Sequence, residues 1–179
     1  ATGAFSVTAL SGAIDDGTAS GNSADVNVAG VATFAASGTI SLDDQWNDFG
    51  DQISVDAQEF ELIAQDDLLL FDVVVDQLAI IAGGNIFSVE AGTVLVTGNA
   101  SFTGNSVTLG NNVGDVAKFG SLKLNASGVV NISEDDSMTL YLHNMTLWNI
   151  PNWTDYECRL KKDWFEKIKH DIENETKKT

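Results

Sequence analysis

The sequence predicts a mainly β protein, a parallel β-helix wound from coils of about 23 residues over residues 1–142, followed by a C-terminal amphipathic α-helix within residues 143–179. Three observations predict it. Strand and turn residues fill the body of the chain up to about position 140, where Gly, Ala, Ser, Thr, Val, Asn and Asp dominate and Val and Ile alternate in runs such as "VNV", "ISV", "VLV" and "LKL". Large aliphatic residues return at a constant step, as the inward side chains of stacked coils must. The composition then changes abruptly near residue 140.

Two copies of one frame set the step. "VNVAGVATF" (Val26 to Phe34) and "VLVTGNASF" (Val94 to Phe102) share Val, Val, Gly, Ala and Phe at equivalent places. Stepping by 23 from Ile40 reaches Ile63, Ile86, Leu109 and Ile132. A second column runs Val73, Val96, Phe119 and Leu142 behind Gly50, and a less regular third runs Val55, Leu78, Ser101 and Leu124. Three columns imply about three short strands per coil. The offset from Val26 to Val94 is then three coils less one residue, with slips absorbed in loops rich in Gly, Asn and Asp. A single coil cannot bury its own apolar residues. Stacking at about 4.8 Å pairs the backbone and lines the axis with aliphatic ladders, so five or six coils make a rod of about 25–30 Å whose ends are open sheet edges. Helix signals are missing here, since Gly interrupts most windows at about 1 kcal/mol each.

Charge divides the chain in the same place. The whole carries −17, and residues 1–140 hold 19 of the 26 acids against two bases, Lys118 and Lys123. Residues 141–179 hold seven acids and seven bases, with the only Arg, Cys and Pro, both His, both Tyr and three of the four Trp. So acidic a body repels phosphate backbones and anionic lipid, which argues against nucleic acid as a partner. The longest near-apolar stretch, "LLLFDVVVDQLAIIAG", is broken by Asp72, Asp76 and Gln77; it reads as buried strand and not as a membrane span.

The segment "VLVTGNASFTGNSVTLGNNVGDVAKFGSLKLNASGVVNISEDDSMTL" resembles the repeats of giant bacterial surface proteins, including filamentous-haemagglutinin-like adhesins. The likeness spans about residues 10–140. It implies a right-handed winding, export, and a place outside the cell or at its surface as a stalk or adhesive shaft, with flanking repeats of the same protein as neighbours. The chain opens in mid-pattern with "ATGAFSV" and shows no signal peptide, which reads as a piece of something longer.

Acidic pairs occur at Asp15-Asp16, Asp43-Asp44, Asp66-Asp67 and Asp135-Asp136, the last three on the same beat as the aliphatic columns. Asp43, Asp44, Asp66 and Asp67 are therefore expected to stack at one corner of neighbouring coils, where like charges repel unless they splay into water or share a cation. Calcium, which takes flexible all-oxygen sites, is the one cofactor to weigh. Against it stands a solvated acidic row that keeps the rod soluble and guards its edges. The rival class is a β-helical polysaccharide-active or carbohydrate-binding domain. Lyases of the pectin-degrading kind resemble a calcium site joined to an Arg or Lys base, yet no base precedes Lys118; hydrolases need only carboxylates at a suitable separation. Repetition of the pairs argues for structure, because a catalytic site is a single irregular place. No nucleophile, phosphate-loop or Cys-x-x-Cys pattern is present, and no catalytic residue is assigned.

In the tail, "MTLYLHNMTLW" still alternates until Pro151 breaks it. Thr154 and Glu157 fit a capping box, and Tyr156, Leu160, Trp164, Ile168 and Ile172 then recur every four residues with Phe165 beside them, predicting a helix over about 154–174. Such a stripe covers either the end of the rod, as a cap, or a protein partner. Asn144, Asn152 and Asn174 begin Asn-x-Ser/Thr triplets, which would be glycosylated only in a eukaryotic secreted protein and fit a fused or foreign segment as well as a native cap. Cys158 has no second Cys in the chain, and His143 and His170 are too scattered for a metal site. The expectation is a structural or adhesive, non-catalytic element whose partners are a surface glycan or protein.

Overall fold

The computed structural model describes residues 3–17, 26–134 and the strand at 139–142. The tail helix expected at 154–174 lies outside the described residues. Within them the chain is a parallel β-solenoid with no helix.

One face stacks β1 (Phe5–Ala9), β4 (Ala32–Ala36), β7 (Gln52–Asp56), β9 (Leu68–Val75), the first part of β11 (Ile86–Gly104) and the first part of β13 (Val116–Ala126). A second face stacks β2 (Ile14–Asp15), β5 (Thr39–Leu42), β8 (Glu59–Ala64), β10 (Gln77–Ala82), the later parts of β11 and β13, and β15 (Thr139–Leu142). The third side is made by β3 (Asn27–Val28) with β6 (Asp48–Phe49), and further along by the opening residues of β9 and β11 with β12 (Val107–Leu109) and β14 (Val130–Ile132). Every one of these pairings is parallel, and the long strand β11 wraps two corners and runs through all three sides.

Alternation decides which side chains go in. In β8, "EFELIA", Phe60, Leu62 and Ala64 are buried while Glu59 and Glu61 are exposed. On the second face the inward column is Ile14, Ile40, Phe60, Leu78, Ala100 and Leu122, and beside it run Leu42, Leu62, Ile80, Phe102 and Leu124. Widths compensate within a coil, since Ala100 stands next to Phe102 and Ala32 next to Phe34, keeping each layer filled without overpacking.

The winding does not keep the constant step. Its ladder partners run Ile14, Ile40, Phe60, Leu78, Ala100, Leu122 and Leu140. The coil from Ile14 to Ile40 is longer than the expected one, and every later coil on this face is shorter, most of all those from Phe60 to Leu78 and from Leu122 to Leu140. Two of the expected neighbours are true ladder partners, Leu109 with Ile132 and Val96 with Phe119. The others are corrected. Ile40 lies beside Phe60, and Ile63 lies beside Ile81 on the outer surface, where Ile81 is 48 % exposed. Ile86 pairs with Val107, Val73 with Val94, Leu142 with Leu124 and Leu78 with Ala100, while Ser101 lies in an outward row beside Lys123.

The repeated frame marks a corner and not a place on the perimeter. Val26 to Phe34 passes from the third side to the first face, whereas Val94 to Phe102 passes from the first face to the second. Phe34 reaches Val94 by way of Val55 and Val73, so the second copy sits three coils on and one face further round. Both copies hold an edge-to-face ring pair across coils, Phe34 with Phe49 at 6.1 Å and Phe102 with Phe119 at 6.0 Å. Both also need their glycine, because a Cβ on Gly30 would lie 2.9 Å from the Gly3 carbonyl, and one on Gly98 would lie 2.6 Å from the Asp76 carbonyl oxygen.

Truncation separates the inward column from the one the constant step proposes. Phe60→Ala is expected to lower the unfolding free energy by about 3–5 kcal/mol, and Ile63→Ala by under about 1 kcal/mol, in chemical denaturation. Equal losses would mean that Ile63 shares the interior.

Candidate functional site: the polar corners of the coils

Between the second face and the third side, each coil turns through a short polar segment. Asp15-Asp16, Asp43-Asp44 and Asp66-Asp67 all fall at this corner, Asp15 at the end of β2 with Asp16 after it and the other two pairs following β5 and β8. They share the corner but not a register. Leu42 pairs with Leu62, so Asp43 and Asp44 run alongside Ile63 and Ala64, while Asp66 and Asp67 come at the far end of the next turn, past the Gln65 amide that donates to the Asn47 carbonyl. The coil from Ile40 to Phe60 falls short of the expected step, and the stack of Asp43 on Asp66 and Asp44 on Asp67 does not form. Asp135-Asp136 lies outside the described residues.

The carboxylates at this corner accept hydrogen bonds from amides. Asp15 accepts from the Gly17 N–H at 2.6 Å, Asp44 from the Trp46 N–H at 2.8 Å, and Asp67 from the Asn85 N–H at 2.6 Å and its side-chain amide at 3.0 Å. Those of Asp15 and Asp44 are Asx-type contacts, in which a short acidic side chain satisfies a backbone donor two residues on, while those of Asp67 reach the next coil. Asp44 is buried; Asp43, Asp66 and Asp67 are exposed. Among the described residues no group of three or more His, Cys, Asp and Glu side chains is placed to hold a metal ion.

The residue that organises the corner is Asn47, fully buried. Its Nδ2 donates to Asp16 at 2.7 Å and to the Leu42 carbonyl at 3.1 Å, and its Oδ1 accepts from the Val26 N–H at 3.0 Å. Its carbonyl takes the Gln65 N–H at 2.8 Å, so this one residue ties three coils together. Asn85 and Asn105 repeat the device further along: Asn85 accepts from Ser106 at 2.7 Å, and Asn105 donates to the Gly83 carbonyl at 3.2 Å.

A second polar knot holds the corner between the third side and the first face. Ser88, buried in a column with Ala32, Ile53 and Leu70, donates to Asp115 at 2.7 Å and accepts from the Gly110 N–H at 3.0 Å. Asn112 donates to the Ser88 carbonyl at 2.9 Å and to Asp115 at 3.1 Å. The turn is thereby fastened to the neighbouring coil, where Ala91 adopts φ 60° and its N–H donates to the Val113 carbonyl at 3.3 Å. What both knots do with their polar atoms is bind one coil to the next.

Sequence reasoning singled out the acids and missed Asn47, Ser88, Asn112 and Asp115. A signal was present, an Asn at turn after turn, but a search for aliphatic columns passes over polar residues. Tyr156, Leu160, Trp164, Phe165, Ile168 and Ile172, with Asn144, Asn152 and Asn174, lie outside the described residues, as do Cys158, His143 and His170.

Removing the Asn47 side chain strands the Val26 N–H and the Leu42 carbonyl in a dry corner. Asn47→Ala is therefore expected to destabilise by about 2–4 kcal/mol, and Asp66→Asn to leave stability within about 0.5 kcal/mol, measured side by side in urea.

Residues 1–56 match the family described as repeats of unknown function (DUF5649), a match that takes in the coils from β1 to β7. No curated protein and no solved structure matches the chain.

Proposed function

We propose that the chain is a non-catalytic structural element, a stiff segment of a large extracellular repeat protein that stands at the cell surface as a stalk. In this role the winding is right-handed, flanking repeats of the same protein continue the rod, and loops at the corners offer adhesive contacts to a surface glycan or protein. The observation that carries the reading is the unbroken parallel ladder from Ile14 to Leu140. Support also comes from the polar side chains, which at both knots fasten coil to coil. The match of the first coils to a family of repeats agrees with a modular build.

The tail fits this role as a cap. Val130 and Ile132, in the last described strand of the third side, are only partly buried, and the stripe Tyr156, Leu160, Trp164, Phe165, Ile168 and Ile172 supplies apolar area to cover such an end. The acidic corner serves solubility and turn formation, with calcium as the competing use of the same carboxylates.

Stretching single molecules between their ends tests the stalk reading. Coils are expected to peel one at a time, each releasing about 60–90 Å of chain. A chain that extends as readily as an unfolded one would remove the mechanical role. Millimolar calcium is expected to leave the melting midpoint where magnesium leaves it. A calcium-specific rise, worth about 2.7 kcal/mol at a hundredfold excess over the dissociation constant, would assign the acidic corner to the ion.

A further inference from the structure

We propose that two copies of this chain lie side by side with their rod axes antiparallel, joined through the outer surface of the first face about a two-fold axis that passes between Val74 and Leu95. The first observation is a row of outward side chains, one from each of four successive coils. Asp56 pairs with Val74, Val74 with Leu95 and Leu95 with Lys118, so an acid and a base close the two ends of an apolar centre. The strand neighbours Val73, Val75, Val94 and Val96 are buried, which turns this row away from the core. Val74 is 41 % exposed, and Leu95 is partly exposed beside it.

The second observation is charge. Lys118 is one of only two bases in residues 1–140, and among the described residues neither it nor Asp56 has an ion-pair partner. They stand three coil spacings apart, about 14 Å, too far to meet each other within one molecule.

What the row fits is its own reversed copy. A two-fold axis lying in the junction along the strand direction inverts the order of the coils and uses the same patch on both molecules. Asp56 then meets Lys118 of the second copy, Val74 meets Leu95 of the second copy, and each contact occurs twice. In the adjacent row Asp72 comes opposite Thr93 of the second copy, so no acid meets an acid. With the axes parallel instead, Asp56 meets Asp56 and Lys118 meets Lys118, and a slip of one coil separates both charge pairs. Charge therefore selects direction and register. The second face carries Glu61, Ala79, Ser101 and Lys123 in the same order, but it has Ala and Ser where the first face has Val and Leu. General repulsion between the acidic bodies is screened beyond about 8 Å at physiological salt. A patch four coils tall, about 15–20 Å, belongs with small, transient interfaces. It lies along the side of the rod, so flanking repeats can extend both ladders past it. This inference does not rest on the stalk role, since pairing is read by mass and stiffness by force.

Sedimentation equilibrium of the full chain, up to about 1 mM and in about 0.15 M salt, tests it. The parent is expected to pass from monomer to dimer with concentration. D56K and K118D each set like charges at both pairs and weaken dimerisation about tenfold. D56K does so although it makes the body less acidic, the reverse of what general repulsion predicts. The double variant D56K/K118D recovers the parent's affinity, and so does an equal mixture of the two single variants. K123E, on the second face, keeps the dimer within about threefold of the parent. Should a charge reversal melt early, D56N and K118Q carry the same comparison with about a threefold loss. A monomer at every concentration overturns the proposal. So do association that D56K and K118D leave untouched, a double variant or mixture that stays monomeric, and a dimer lost in K123E.

Discussion

The structure depends on one constraint: each strand must lie one backbone spacing, about 4.8 Å, above its copy in the coil before. Peptide groups that face along the axis have no other partners, and leaving them unpaired in a dry interior is costly. The distance along the axis is therefore fixed, but the length of chain used to go once round is not. The long coil from Ile14 to Ile40 and the short one from Phe60 to Leu78 stack in the same unbroken ladder, because the surplus is placed at corners, where a turn can lengthen at little entropic penalty. That freedom leaves the corners with polar groups that need partners, and Asn47, Asn85, Asn105 and Ser88 supply them from within the stack.

The separation between a fixed ladder and variable corners explains the repeated frame. Val-x-Val enters a corner, Gly lets the chain pass close over the neighbouring coil, and Ala-x-Phe leaves it with a small residue and a ring pointing inward. The instruction is local, and nothing in it specifies which corner. The same frame accordingly serves the corner before β4 and the corner within β11, and in both places the ring finds a second Phe from the following coil.

The same physics sets how much was legible. Strand class, parallel stacking, three sides and polar turns all follow from alternation and composition, and all are present. The identity of the inward residues does not follow, because side chains alternate with period two and an odd error in coil length turns a residue inside out. The constant step overshoots the coil after Ile40 by an odd number, which exchanges buried Phe60 for outward Ile63. Where the local coil does match the step, as from Val96 to Phe119 and from Leu109 to Ile132, the expected pairs are found. The acidic pairs failed in register for the same reason, although their corner was placed correctly. The role of Asn47 was missed for a different one: the Asn recurs at the turns, but its worth lies in partners drawn from three coils, most of them far from it in sequence.

A thin rod whose body holds 19 acids against two bases ought to suffer from stacking, since each outward side chain has a copy directly above and below it. The registers show how this is avoided. Along the second face the outward rows read Thr39, Glu59, Gln77 and Ser41, Glu61, Ala79, Ser101, Lys123, so each acid lies between neutral neighbours. On the first face Asp56 lies between Ala35 and Val74, and on the third side Asp48 faces Asn27, which donates to it at 3.2 Å. In none of the described ladder pairs does an acid oppose an acid. At the corner that carries Asp16, Asp44 and Asp67, amide donors from the turn or from the next coil meet the carboxylates. A large negative charge is thus compatible with the ladder because it is interleaved along the flat faces and met by backbone dipoles at the bends. A sequence that kept the same composition but placed its acids at a constant interval matching the coil would repel itself apart.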